Sequence, residues 1–211
     1  MSSAPTHPSR RVAIVTLPGF NEIDTFVATR MIDSVTGLEV ALVGPHAMAD
    51  SMAGIDVATP GALDELHIFD AVIVGSGMRT FEHIDNDALM ANFTLGQNPG
   101  QLLGSQCSGA AILHRLGLVD GVTVCTDALT TPRLRAIGVD VANEPFRADG
   151  NLATSGGCLS SAYLAFWMIS RLINPEAAVA ALEYVAPVGE ADEYVSRALS
   201  LTQPVVAQPS P

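Results

Sequence analysis

The stretch LLGSQCSGAA, residues 102–111, leads from an apolar segment through a cysteine into small residues and helix formers. The apolar residues before Cys107 indicate a buried strand, and the alanines after it indicate a helix. A cysteine at such a junction lies on a sharp strand-to-helix turn, where the tight backbone needs small neighbours such as Ser108 and Gly109. The stretch therefore predicts an α/β fold with a thiol at the carboxyl end of a strand.

The segments around this stretch alternate between strand and helix patterns. Residues 11–17, RVAIVTL, form a β-branched run typical of a strand buried on both faces, and a helix pattern follows over residues 23–35. Two more strands are predicted at residues 38–44 and 69–77. The alternation predicts a three-layer α/β sandwich, with a mostly parallel central sheet and helices on both faces. Ligands of such sheets bind at the carboxyl ends of the strands, where Cys107 falls.

Three further patterns predict local structure in the second half of the chain. Residues 85–96 predict a helix with Asp85 as its N-cap, and VTVCT, residues 122–126, predicts a strand. The pair Asp149-Gly150 predicts the turn of a β-hairpin.

Composition bounds the class of protein. The chain has 211 residues, 48% hydrophobic and 15% charged, which predicts one domain with a full core over residues 11–200. Residues 1–10 and 203–211 are rich in Pro and Ser and are predicted to be flexible tails. The net charge is −12 and the chain has no Lys, so binding to nucleic acid phosphates is not expected.

Cysteine usage and hydropathy predict a cytoplasmic protein. Three cysteines, an odd number, fit a reducing compartment better than a disulfide framework. The N-terminal segment lacks the apolar run of a signal peptide. The most apolar helix pattern is interrupted by Ser170 and Arg171 and is too short to span a bilayer, so no membrane partner is expected.

The residues around Cys107 support two interpretations. A helix N-terminus favours a thiolate, and the N–H of Ser108 could donate to a developing oxyanion; alternatively Cys107 is a small buried hydrophobe. Gly75 and Gly77 could bring a second N–H donor to the substrate, or could simply form a turn. Asp24 could point at the thiol, or could only complement the dipole of the first helix.

The other cysteines have simpler interpretations. Cys125 lies in an apolar segment and is expected in the core, whereas Cys158 follows a Gly-Gly turn and either lines the pocket or packs. No His, Cys and Asp cluster has metal-ligand spacing, so neither a metal nor an organic cofactor is expected.

Four motifs in order, FNEID opening a helix, then DAVIVGSG, GSQCSGA and GNLATSGG, resemble the DJ-1/PfpI family of the class I glutamine amidotransferase-like superfamily. The resemblance covers roughly residues 11–190 and implies a flavodoxin-like fold and a homodimer. An Asp rather than a Glu at position 24, and LEYVAP at residues 182–187, are similar to the isocyanide hydratase branch.

The resemblance also implies roles for individual residues. Cys107 matches the reactive cysteine and Asp24 the acidic residue beside it, while Gly77 and Ser108 match the donors of the oxyanion hole. Candidate pocket residues are Gly75, Ser76, Asp127 and Cys158. Two positions where family members carry His hold Ser108 and Asp127 here, so no Cys–His dyad and no peptidase activity are expected.

The function that these matches imply is a cysteine-dependent small-molecule hydratase or lyase. It would hydrate isocyanides to N-substituted formamides through a Cys107 thioimidate, with Asp24 as general acid and base. The alternatives are a reactive-carbonyl or amide hydrolase of the same family, or a non-enzymatic thiol-based stress sensor.

Overall fold

The computed structural model describes residues 9–202 and has a seven-stranded central sheet. The strands in chain order are β1 Arg10–Val15, β2 Leu38–Asp50, β3 Asp56–Pro60, β4 Ala71–Val74, β5 Leu102–Gln106, β6 Phe146–Asp149 and β7 Leu152–Ser155. Their order across the sheet is β3-β2-β1-β4-β5-β7-β6. Strands β2, β1, β4, β5 and β7 are parallel, and the edge strands β3 and β6 are antiparallel to their neighbours. The predicted, mostly parallel sheet is therefore confirmed.

Helices cover both faces of this sheet. They are α1 Glu22–Asp33, α2 Thr80–Ile84, α3 Asp87–Met90, α4 Gly109–Arg115, α5 Thr131–Ala136, α6 Ser161–Leu172, α7 Pro175–Val185 and α8 Ala191–Thr202, with 3-10 turns at Leu63–Ile68 and Cys158–Ser160. In β1, Val12 and Ile14 join a core with α1, α6, α7 and α8, while Ala13 and Val15 join a second core with α4 and α5. Alternate side chains thus enter opposite cores, which confirms the three-layer, flavodoxin-like sandwich.

The strand predicted at residues 122–126 does not form. Only a single bridge links Val124 to Val141, because the place beside β5 is taken by β7, whose Ser155 pairs with Gln106. The segment instead crosses the carboxyl end of the sheet, where the Cys125 N–H donates to Thr154 Oγ1 at 2.8 Å.

The helix predicted over residues 85–96 is also different in the structure. Asp85 ends α2 rather than capping a helix, and Asn86 caps the short α3 by accepting a hydrogen bond from the Leu89 N–H at 3.1 Å. The hairpin predicted from Asp149-Gly150 is confirmed, but its turn is Gly150-Asn151, because Asp149 still pairs with Leu152; Gly150 has a φ of 58°.

The ends of the chain are only partly described. Residues 1–8 and 203–211 of the predicted tails lie outside the described residues, whereas Arg10 belongs to β1 and not to a tail. The single domain over residues 11–200 stays a prediction. Within residues 9–202, no helix combines the length and the apolar character needed to cross a bilayer.

Candidate active site

Cys107 lies on the predicted sharp turn between β5 and α4. Its φ is 45°, and no other non-glycine residue within residues 9–202 has a positive φ. This conformation costs an L-residue about 1–3 kcal/mol, so the surrounding structure must hold it in place. The Cys107 N–H donates to Ser155 O at 2.8 Å, and Thr126 Oγ1 donates to Cys107 O at 2.8 Å.

Glycines allow the main chain to pack tightly around this turn. A Cβ on Gly109, the first residue of α4, would lie 2.3 Å from the Val74 carbonyl oxygen at the end of β4. Three other glycines, which follow β4 and β7, would also place a Cβ within 3.0 Å of a main-chain oxygen: Gly75, Gly77 and Gly156. Only glycine fits these positions without moving a strand end or a loop.

Asp24 is brought to the site by the first turn of α1. Asn21 starts that helix by accepting a hydrogen bond from the Ile23 N–H at 3.0 Å. The Asp24 side chain is 2% exposed, and its Oδ2 accepts a hydrogen bond from Ser76 Oγ at 2.6 Å. Its Oδ1 is buried and has no hydrogen-bond partner among the described residues. Burial raises the pKa of Asp24 to about 7, against the opposing effects of the Ser76 hydrogen bond and of the nearby Thr25 N–H and hydroxyl.

The electrostatics of the site favour a neutral thiol at Cys107. Its side chain is 3% exposed, and burial raises its pKa, with smaller contributions from the negative charges of Asp24 and Asp127. A hydrogen bond from the Gly157 N–H acts in the opposite direction. These effects oppose the thiolate that the helix N-terminus suggests from sequence. They also show that Asp24 lies close enough to Cys107 for its charge to act on the sulfur.

The two predicted oxyanion-hole residues lie next to each other. The Gly77 N–H donates to Ser108 Oγ at 3.2 Å, and Ser108 Oγ is 2.8 Å from Thr80 Oγ1. The Gly77 donor is therefore occupied by a side chain that a bound ligand would have to replace.

The remaining predicted pocket residues have separate structural contacts. The Gly75 N–H donates to a β1 carbonyl, and Ser76 holds Asp24. Cys158 Sγ accepts a hydrogen bond from Asn21 Nδ2 at 3.2 Å, which ties it to the start of α1. The Asp127 carboxylate accepts from the N–H groups of Leu129 and Thr130, both at 2.9 Å, and so stabilises its own turn before α5.

A cleft of about 690 Å³ opens beside the turn. Its lining includes Thr126 and Gly157, which both contact Cys107, together with Asp127, Arg135 and Glu144. The lining thus includes neighbours of the thiol, but neither Cys107 nor Asp24 itself, and the thiol is buried among polar groups.

Sequence reasoning missed Gln106, the last residue of β5. Its Nε2 lies 3.5 Å from Cys107 Sγ and 3.0 Å from Gly157 O. A usable signal was a large polar amide at the end of a predicted buried strand. Cys125 lies in the core as predicted, fully buried, and burial raises its pKa to about 11.

In the part of the chain that the structure describes, the thiol has neither a metal-binding cluster nor a hydrogen-bonded histidine beside it. Within residues 9–202, no three His, Cys, Asp or Glu side chains come together in a way that could hold a metal. The histidines of this range hydrogen-bond elsewhere where they bond at all, as His83 does to Pro18 O at 2.8 Å.

Comparison with known proteins identifies the family. The sequence model of the DJ-1/PfpI family matches residues 10–171, most of the chain. The chain belongs to the DJ-1/PfpI family. A search of curated proteins found no match. The family includes enzymes and non-enzymes, so membership alone does not assign an activity.

Solved structures of family members share the fold. A ThiJ/PfpI family protein from Pseudomonas syringae has a TM-score of 0.76 at 17% identity, covering 96% of this chain and 94% of that one. Drosophila melanogaster DJ-1beta has a TM-score of 0.71 at 16% identity, over 84% of this chain and 97% of that one. Toxoplasma gondii DJ-1, in an oxidized form, has a TM-score of 0.71 at 18% identity, over 84% and 98%. At these identities the likeness shows the fold alone.

Proposed function

We propose that this DJ-1/PfpI family member is a cysteine-dependent hydratase that converts isocyanides to N-substituted formamides. The observation that carries the proposal is Asp24, which is buried close enough for its charge to act on Cys107 and has one unpartnered carboxyl oxygen and a pKa raised to about 7. A carboxyl group that titrates near neutral pH can both accept and return a proton, which this reaction requires. An Asp at this position is also the feature that resembles the isocyanide hydratase branch.

The first step joins the sulfur to the substrate. Cys107 Sγ forms a bond to the terminal carbon of the isocyanide, and Asp24 takes the thiol proton. Asp24 then returns that proton to the same carbon, which leaves a neutral thioimidate on Cys107. Since the burial of Cys107 disfavours a standing thiolate, proton removal must accompany attack.

The second step adds water and releases the product. The water oxygen bonds to the thioimidate carbon, one water proton passes to nitrogen, and the other returns through Asp24 to sulfur as the carbon–sulfur bond breaks. The sum is one isocyanide plus one water giving one N-substituted formamide. The N–H groups of Gly77 and Ser108 would donate to the negative charge that develops during these steps. For this, the Gly77 N–H would exchange its present acceptor, the Ser108 hydroxyl, for the substrate.

A substrate panel tests this proposal. The purified protein is incubated in ¹⁸O-labelled water with an alkyl isocyanide, with methylglyoxal and with a simple amide, and products are identified by mass spectrometry. We expect the isocyanide alone to be consumed, with one labelled oxygen in the formamide. Turnover of methylglyoxal or of the amide, with the isocyanide unchanged, would assign the site to the hydrolase alternative. Turnover of none of the three would contradict the hydratase.

The proposal includes a homodimer with the site near its interface. Four exposed apolar side chains form an apolar rim around the start of α1: Ile23, Phe26, Met52 and Leu159. The Phe26 ring packs on Phe20 with centroids 5.9 Å apart, and the Met52 N–H donates to Phe20 O at 2.8 Å. Surfaces of this kind are typical of protein interfaces.

The three free cysteines fit the cytoplasmic location that the composition suggests.

Sedimentation tests the dimer. We expect a mass twice the 22.0 kDa of one chain, and a monomer for Phe26→Glu, because the charge would be buried in the apolar rim. Val188→Glu, at a fully exposed position between α7 and α8, is the matched control and should stay dimeric. A wild-type monomer would refute the assembly.

A further inference from the structure

The amide of Gln106 is held in one orientation beneath the reactive sulfur. The side chain is 1% exposed, and its Nε2 contacts both Gly157 O at 3.0 Å and Cys107 Sγ at 3.5 Å. A carbonyl oxygen can only accept a hydrogen bond, so the edge of the amide that faces Gly157 O must be its NH₂ group. The second hydrogen of that group is then available to the sulfur.

Ser155 completes the contacts of this amide from the other side. Its hydroxyl, fully buried in β7, donates to Gln106 Oε1. The Ser155 carbonyl also accepts from the Cys107 N–H at 2.8 Å, so the same residue holds both the amide and the backbone of the turn. Both N–H groups and the Oε1 atom of the Gln106 amide are therefore occupied, by Gly157 O, Cys107 Sγ and the Ser155 hydroxyl. Rotation of the amide would break all three contacts.

We propose that Gln106 is a positioning residue that aims Cys107 Sγ and stabilises its thiolate, and that Ser155 fixes the amide for this task. The inference rests on the proposed function only in taking Cys107 as the nucleophile. Two carboxylates act on Cys107 in the unfavourable direction, and a side-chain N–H donor at the sulfur offsets part of that effect. The donor belongs to Gln106, the last residue of β5, so it is in place before any substrate binds.

The test measures alkylation of Cys107, which does not depend on turnover. The full chain is treated with iodoacetamide between pH 6 and pH 10, and the rate at Cys107 is followed by peptide mass spectrometry. Gln106→Met, which is close in volume but has no donor, is expected to slow alkylation about tenfold at each pH below the thiol pKa. Ser155→Ala should slow it in the same direction by a smaller factor, and Ser155→Thr, which keeps the hydroxyl, should restore the wild-type rate.

Gln101→Met is the matched control. Gln101 is 3% exposed, and its Nε2 donates to Leu66 O at 2.8 Å and Phe69 O at 2.9 Å, away from the sulfur. We expect this variant to melt at a lower temperature and to keep the wild-type alkylation curve. Equal slowing in Gln101→Met, or a wild-type curve in folded Gln106→Met, would overturn the assignment. If Gln106→Met does not fold, the Ser155→Ala and Ser155→Thr pair decides, and equal rates in those two would also overturn it.

Discussion

Substituting Cys107 with alanine is expected to lower turnover at least about a thousandfold while leaving the chain folded. The proposed reaction passes through a bond to this sulfur, which alanine lacks. The Ser76 hydroxyl, which bonds to Asp24, would not replace it, because a hydroxyl is a much weaker nucleophile than a thiol. Alanine has the same backbone preferences as cysteine at the φ of 45° and loses only a buried sulfur, a cost of about 1 kcal/mol. Turnover of the isocyanide and thermal unfolding by circular dichroism measure the two effects.

Cys125→Ala is the matched control for this prediction. Cys125 is as deeply buried as Cys107, so the loss of its sulfur should lower stability by a similar amount. Its turnover should be unchanged, because Cys125 neither lines the cleft nor bonds to Cys107 or Asp24, and its N–H bond to Thr154 is kept in the variant. Turnover retained in Cys107→Ala would exclude covalent catalysis through this thiol.

Substituting Asp24 with asparagine is expected to remove most of the loss of stability that the wild type shows as pH rises from 4 to 8. The folded-state pKa of about 7 lies above the ordinary value of 3.8, so between these values the folded state holds a proton that the unfolded chain releases. The stability that the Asp24 proton contributes is therefore fully present below about pH 4 and is lost as pH rises through 7, about 4 kcal/mol in all. The asparagine side chain cannot ionise, so denaturant unfolding of the variant should depend far less on pH over this range.

The change of the unfolding free energy with pH is the decisive measurement, because the asparagine amide also leaves an unpaired donor. That donor costs about 1–3 kcal/mol at every pH and so does not alter the slope. Asp33→Asn, an exposed carboxylate at the last residue of the same helix, is the control and should keep the wild-type slope. We also expect Asp24→Asn to lose turnover, since the amide cannot carry the proton. An unchanged slope would contradict the buried, proton-binding Asp24, and unchanged turnover would contradict its proposed role in catalysis.

The sheet and the turn at Cys107 could be predicted from sequence because both depend on local patterns. A β-branched run such as residues 11–17 has few alternatives to a doubly buried strand, and β1 confirms it. Small residues after Cys107 indicate a tight turn because larger ones would not fit against the end of β4. Each of these signals lies within about ten residues of the feature that it predicts.

The errors arise where distant segments compete for the same place. The VTVCT segment has the composition of a strand, but β7 occupies the position beside β5, and a single sequence does not show which of two strand-like segments wins. Asp85 and Asn86 are both good helix caps, and the end of α2 decides between them.

The chemistry of the site was only partly predictable for the same reason. The hydrogen bond from Ser76 to Asp24 joins residues 52 positions apart, and the burial of Asp24 raises its pKa against the effect of that bond. Sequence placed the thiol at a helix start and suggested a thiolate, but the loss of solvent and the nearby carboxylates depend on the three-dimensional packing. The role of Gln106 likewise depends on a loop 51 residues later.

The close main-chain contacts at Gly75, Gly77, Gly109 and Gly156 limit how this protein can diversify. Where carbonyl groups touch Cα atoms directly, no side chain is present whose exchange could reshape the floor of the site. Selection for a new substrate must therefore act on the walls of the cleft, where the exposed side chains of Arg135, Asn143 and Glu144 are free to change in size and charge. Directed libraries at those three positions should alter which molecules enter while the geometry around the sulfur stays the same.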